Sequence, residues 1–172
     1  MGALTGADEG MIQIAPATPE NTPEIFAMIH ELAEYEKLTH QITGSVDRLR
    51  ADLFGDRPVI EALVARVDGA TCGFALFFYN YSTFLTRPGI YLEDLYVRPD
   101  FRGQGAGKAL LVHLAGLAME RGAGRFEWSV LDWNEPAIRF YKSMGAEVMP
   151  DWRICRVTGE ALRTLAGKAT AT

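Results

Sequence analysis

The stretch Arg102-Gly103-Gln104-Gly105-Ala106-Gly107-Lys108 lies between a strand-like run, Ile90 to Val97, and a long apolar helical segment, about Gly105 to Arg121. Glycines at such a junction let the backbone turn sharply and approach a ligand with no Cβ in the way. The first turn of the following helix leaves unpaired N–H groups and a partial positive charge, which suits phosphate. Each dipole contribution is worth only ~0.3–1 kcal/mol when exposed, so several donors must converge on a diphosphate. Two phosphate loops are excluded. A P-loop needs glycine where Arg102 stands and Ser or Thr at Ala109. A dinucleotide fingerprint counted from Gly103 needs glycine at Lys108, and here it falls too late, after antiparallel strands. What remains is Arg-x-x-Gly-x-Gly, with Arg102, Gly105 and Gly107 in its fixed places.

Upstream of this turn, Met11 to Ile14 reads as a short strand and Thr18-Pro19-Glu20 as a helix start. Ile25, Met28, Ile29, Leu32 and Ala33 follow at helical spacing, and Ser45 is placed to cap a second helix through Phe54. The period then becomes two. Ile60 to Val67 and Thr71 to Tyr79 flank Asp68-Gly69, a hairpin signal. Downstream, the long helix is apolar nearly all round and is expected to be largely buried. Arg125 to Leu131 reads as a strand, Asn134-Glu135-Pro136 as the start of a helix ending at Gly145, Trp152 to Val157 as a last strand, and Glu160 to Leu165 as a terminal helical turn or two. Hairpin-paired strands followed by strands alternating with helices predict an α/β fold, a mixed, mostly antiparallel central sheet with helices on both faces. Residues 1–10 read as a flexible lead-in and residues 11–172 as one domain.

Composition agrees with a compact domain. The 172 residues are 48% apolar and 10% aromatic, enough for a real core. Seventeen basic against 22 acidic residues give a net charge of −5, which offers no electrostatic footprint for nucleic acid and suits a small cationic partner better. No apolar stretch approaches the ~20 residues of a membrane span. The lead-in lacks a basic group and an apolar run, so it is not a signal peptide. Cys72 and Cys155 are too few for a disulfide scaffold, which predicts a reducing, cytoplasmic setting. His30, His40 and His113 have no metal-ligand spacing, and neither cysteine has a visible histidine partner, so no metal and no thiol nucleophile is expected.

The Arg-x-x-Gly-x-Gly turn resembles the coenzyme A diphosphate loop of the GNAT superfamily of N-acetyltransferases, and the order of elements from Met11 to Gly167 resembles that fold. Within it the chain is similar to the spermidine/spermine N-acetyltransferase group. The blocks that carry this are Glu31-Leu32-Ala33-Glu34-Tyr35-Glu36, Tyr91 to Val97, Arg102-Gly103-Gln104-Gly105, Trp133-Asn134-Glu135-Pro136 and Phe140-Tyr141-Lys142. Leu131-Asp132-Trp133-Asn134 and Gly159-Glu160-Ala161-Leu162-Arg163 look more like the thialysine-acetylating branch. The turn at Asp68-Gly69 is shorter than in those relatives, and Lys37-Leu38-Thr39-His40 lacks acids that some polyamine enzymes carry there.

The resemblance implies an acetyl-CoA-dependent N-acetyltransferase that moves the acetyl group directly to the terminal amine of a small cation, a thialysine-like amino acid or a di- or polyamine. It implies Tyr141 as general acid, whose plain alternative is a tyrosine packing the last helix. It matches Glu93 to the acid that holds the amine, a structural salt bridge being the alternative. Glu93 and Asp94 are neighbours in a strand, so alternation sends them to opposite faces. Burying either is costly unless it is paired or used. Tyr35, Glu36, Glu127, Trp128 and Ser129 would line the acceptor site, although Trp128 and Trp133 fit a core equally well. Leu95, Tyr96 and Val97 would pair with the pantetheine arm. Arg102, Gly103, Gln104, Gly105, Ala106, Gly107 and Lys108 would hold the diphosphate, and Asn134, Glu135, Pro136 and Ala137 would touch the cofactor nearer the thioester, Asn134 being equally a helix cap. A homodimer is also implied. A catalytically idle acyl-CoA sensor and a protein N-acetyltransferase are the competing classes.

Overall fold

The computed structural model describes residues 11–167, so the expected lead-in lies outside the described residues. The chain divides into two compact units, the first ending at Ser129 and the second beginning at Val130. The first unit holds β1 (Ile12–Pro16), α1 (Thr22–Glu36), α2 (Val46–Phe54), β2 (Glu61–Val67), β3 (Ala70–Ser82), β4 (Arg87–Val97), α3 (Ala106–Glu120) and β5 (Phe126–Trp128). Among the described residues its strands form one sheet in the order β1-β2-β3-β4-β5, antiparallel from β1 to β4, with β5 parallel to β4.

Local chemistry explains most boundaries. Asp68 and Gly69 both adopt positive φ, 50° and 83°, which is the backbone a tight β2–β3 hairpin needs. Ser45 Oγ accepts the Arg48 amide at 3.2 Å and caps α2 as expected. A single 3-10 turn at Pro19–Asn21 precedes α1, which starts at Thr22 rather than Thr18. At its other end Lys37 takes a left-handed φ of 60°, and the Leu38 amide bonds back to the Ala33 carbonyl at 2.8 Å. That closure fixes where Tyr35 and Glu36 stand.

Both sheet faces are covered. On one, Ile25 and Met28 of α1 and Leu53 of α2 pack with Val64, Phe74, Leu76 and Tyr96. Burying each of the larger apolar side chains stabilises the fold by roughly 1.5–3 kcal/mol. On the other, Leu110, Leu111 and Leu114 of α3 are buried with Leu63, Phe77, Ile90 and Leu92. Glycine is required at position 73 of β3, where a Cβ would sit 2.5 Å from the Tyr96 carbonyl oxygen of β4.

The second unit contains α4 (Glu135–Ser143) and α5 (Gly159–Gly167). Asn134 caps α4, its side chain accepting the Ala137 amide at 3.3 Å, with proline in the first turn.

Four further expectations need correction. The strand expected over Trp152 to Val157 is absent; these residues are irregular and exposed, and among the described residues no strand pairs with them. A run of apolar alternation becomes a strand only when a partner backbone takes its hydrogen bonds. β5 spans three residues rather than the seven of Arg125 to Leu131. α3 buries one stripe only, leaving Val112 and Met119 exposed, because a helix lying on a sheet presents a single face to it. Finally, the alternation that was to part Glu93 from Asp94 is broken. Leu92 pairs with Phe77 and Asp94 with Leu76, so Glu93 is an extra residue, a β-bulge.

Candidate active site

The bulge organises β4. Phe74, Leu76 and Phe78 share one face of β3, and their partners are Tyr96, Asp94 and Tyr91. Asp94 therefore lies on the α1 face, and Glu93 is re-aimed beside it instead of behind it. Asp94 is the missed residue of the site. Burial, then the charges of Glu93 and Glu36, push its carboxyl up to about 6 from an ordinary 3.8. Glu36 is itself raised by burial. Asp94 thus joins Glu36 and Glu93, two of the three carboxylates expected at the acceptor site.

Pairing of β4 with β5 runs from Ile90↔Phe126 to Leu92↔Trp128 and ends there, one residue short of the bulge. On the opposite side β4 stays paired with β3 as far as Val97↔Gly73. The Arg98 amide donates to the Cys72 carbonyl at 2.9 Å, which puts the peptide groups of residues 98 and 96 on the β3 side. Those of Leu95 and Val97 then face away, toward an edge that no strand of the described residues pairs with.

That edge runs into the glycine turn. Gly103 and Gly105 take φ of 77° and 94°, backbone that only glycine adopts without strain, and Gly105 is the N-cap of α3. The amides of Ala106, Gly107 and Lys108 have no acceptor within the helix. Gln104 Nε2 donates to the Asp100 carbonyl at 3.1 Å and braces the turn. Arg102 Nε donates to the Val97 carbonyl at 2.8 Å, and its guanidinium carbon stands 5.2 Å from the Tyr35 ring centre and 5.6 Å from that of Tyr96.

α1 is fastened to the same strand end. Arg98 donates to Glu31 at 3.1–3.3 Å, to Glu24 at 3.0 Å and to the Thr71 carbonyl at 3.1 Å. The buried Tyr96 hydroxyl is held above its ordinary pKa by burial and by the neighbouring Glu31. On β5, Glu127 accepts from Asn80 at 2.8 Å and pairs with Arg125 Nε at 2.9 Å, the latter at an angle poor for a hydrogen bond. The Trp128 ring packs on Phe126, 4.9 Å between centres, and the Ser129 hydroxyl meets that of Tyr91 at 2.6 Å.

Within the first unit, then, the charges of Glu36 and Glu93 reach Asp94, and Arg102 meets both Tyr35 and Tyr96. Glu127 is engaged by an arginine and an amide. In the second unit, Asn134, Glu135, Pro136 and Ala137 form the cap and first turn of α4, and Tyr141 lies in its second half.

An open strand edge leading into a helix N-terminus of amides with no intrahelical acceptor suits an extended ligand that ends in phosphate. Residues 25–146 match the acetyltransferase (GNAT) family, and the chain belongs to it; it is an N-acetyltransferase. It is 42% identical over 168 residues to the thialysine N-epsilon-acetyltransferase of Sus scrofa, covering 91% of this chain and 98% of that one. It is 34% identical over 198 residues to L-ornithine N5-acetyltransferase NATA1 of Arabidopsis thaliana, covering 89% of this chain and 87% of the other. Among solved structures, an integron cassette protein from V. cholerae superposes with a TM-score of 0.76 at 26% identity, covering 91% of this chain and 99% of that one. No helix of the described residues is long and apolar enough to cross a membrane.

Proposed function

We propose that this enzyme transfers an acetyl group from acetyl-CoA directly to the terminal amine of a small cationic amino acid of lysine-like length, thialysine being the reference substrate. The observation that carries this is the end of the β4–β5 pairing at Leu92↔Trp128. We read the edge beyond it as a ligand track, with carboxylates at Glu93 and Asp94, the Leu95 peptide group, the Val97 amide, and the amides of Ala106 to Lys108 that have no acceptor within α3. An extended acyl carrier would add to the open edge as a strand does, its diphosphate on the α3 N-terminus. The two relatives above bear the names of α-amino acid substrates that end in a primary amine.

The chemistry needs two proton transfers from the chain. The acceptor arrives as an ammonium with a pKa near ~10.4 and must lose a proton before its nitrogen attacks. Glu93 holds the ammonium and passes that proton to water. Attack on the thioester carbonyl forms the C–N bond, and expulsion of the thiolate breaks the C–S bond. The thiolate then takes one proton from Tyr141, and the phenolate is restored by the second proton that the nitrogen releases, through water, as it becomes an amide. A phenol near ~10 and a thiol near ~8.5 are close enough for that transfer to need little driving force.

The test is thiol release from acetyl-CoA against thialysine, lysine, ornithine, putrescine, spermidine and spermine. kcat/KM for thialysine is expected to exceed that for spermidine by at least about tenfold, the discrimination that one or two well-placed polar contacts give. A ranking led by spermidine would overturn the amino-acid reading.

A further inference from the structure

We propose that the stack of Arg102 on Tyr35 couples the two ligand sites, so that coenzyme A and the acceptor amine each tighten the other's binding. This rests on the functional reading above and adds a positioning role for two residues. Arg102 faces two ways. Its Nε bonds the Val97 carbonyl on the open cofactor edge, at 2.8 Å, while its guanidinium lies over the Tyr35 ring, at 5.2 Å, on the last turn of α1. Tyr96, 5.6 Å away on the other ring contact, is buried and anchored to Glu31 one turn earlier on the same helix. The residue after Tyr35 is Glu36, whose charge reaches Asp94. A side chain on the diphosphate turn thus contacts the helix end that bears part of the acidic cluster.

Arg102 and Tyr35 are both exposed, so their ordering costs side-chain freedom in the empty enzyme. Whichever ligand binds first restrains the stack, and the second then meets a site already arranged. A cation–π contact at an exposed position is of the size that gives about a two- to fivefold effect on affinity.

The experiment is calorimetric titration of coenzyme A into the full chain with and without saturating thialysine. Coenzyme A carries no acetyl group, so nothing turns over. The ratio of the two dissociation constants is the readout, whatever the absolute affinities. The native ratio is expected to be about two to five, to fall to about one in Tyr35→Leu, and to be kept in Tyr35→Phe, which retains the ring. Circular dichroism checks that both variants fold. A native ratio of one, an undiminished ratio in Tyr35→Leu or its loss in Tyr35→Phe would each overturn the coupling while leaving the acetyltransferase reading intact. Failure of the native chain to bind coenzyme A would strike that reading itself, and the coupling with it.

Discussion

Tyr141→Phe is expected to lower kcat by at least about a hundredfold while leaving KM for acetyl-CoA within about twofold, since a positioned general acid contributes roughly 10²–10⁴ in rate. The substitution removes one hydroxyl from the second half of α4 and keeps the ring. A tyrosine that merely packs would lose little on this change, and the loss would be seen in the melting temperature rather than in turnover. The two roles therefore separate cleanly: kcat falls with Tm nearly unchanged if Tyr141 protonates the leaving thiolate, and the reverse holds if it packs. Activity at alkaline pH gives a second check. The native rate should decline as the phenol ionises, and that limb should vanish in the variant.

Asp94→Asn should make the protein more stable and worse at binding its amine. A carboxyl held at about 6 rather than 3.8 favours its protonated form in the folded state. The folded chain therefore binds more protons than the unfolded chain between about pH 4 and 6, and stability falls as pH rises through that window. Below pH 4 the penalty is absent; above 6 it is complete and worth about 3 kcal/mol. Asparagine carries no charge to bury. Denaturant unfolding at pH 7.5 should show the variant more stable by about 1–3 kcal/mol, and at pH 4 the two should nearly coincide. In the proposed reaction the ammonium held by Glu93 also lies against Asp94 and offsets that cost, so KM for thialysine should rise at least about tenfold in the variant, as on removing one partner of a buried charge pair. By the same linkage, amine affinity of the native enzyme should weaken as pH drops below 6. A variant no more stable at pH 7.5 would show that Asp94 is paired by other means.

The sequence reveals more of the skeleton than of the contacts. Asp68-Gly69, Ser45 and the glycines at 103 and 105 announce their structures because each answers a local backbone demand. The bulge at Glu93 is invisible to that reasoning: nothing in Tyr91 to Val97 says that one residue will be left over when the strand meets its partner. With it went Asp94, expected on the opposite face. The absent strand at Trp152 to Val157 fails for a related reason, since its alternation cannot create a partner. Arg102 illustrates the remainder. Its place in the motif is readable from spacing, whereas its lodging between Tyr35 and Tyr96 joins residues more than sixty positions apart.

The central claim is that the edge of β4 and the N-terminus of α3 form a seat for an acyl carrier. Titrating coenzyme A into the purified chain in a calorimeter tests it without any assumption about the amine or about Tyr141. Saturable heat is predicted, with one site per chain, micromolar affinity and competition by acetyl-CoA. No heat at millimolar coenzyme A would contradict it.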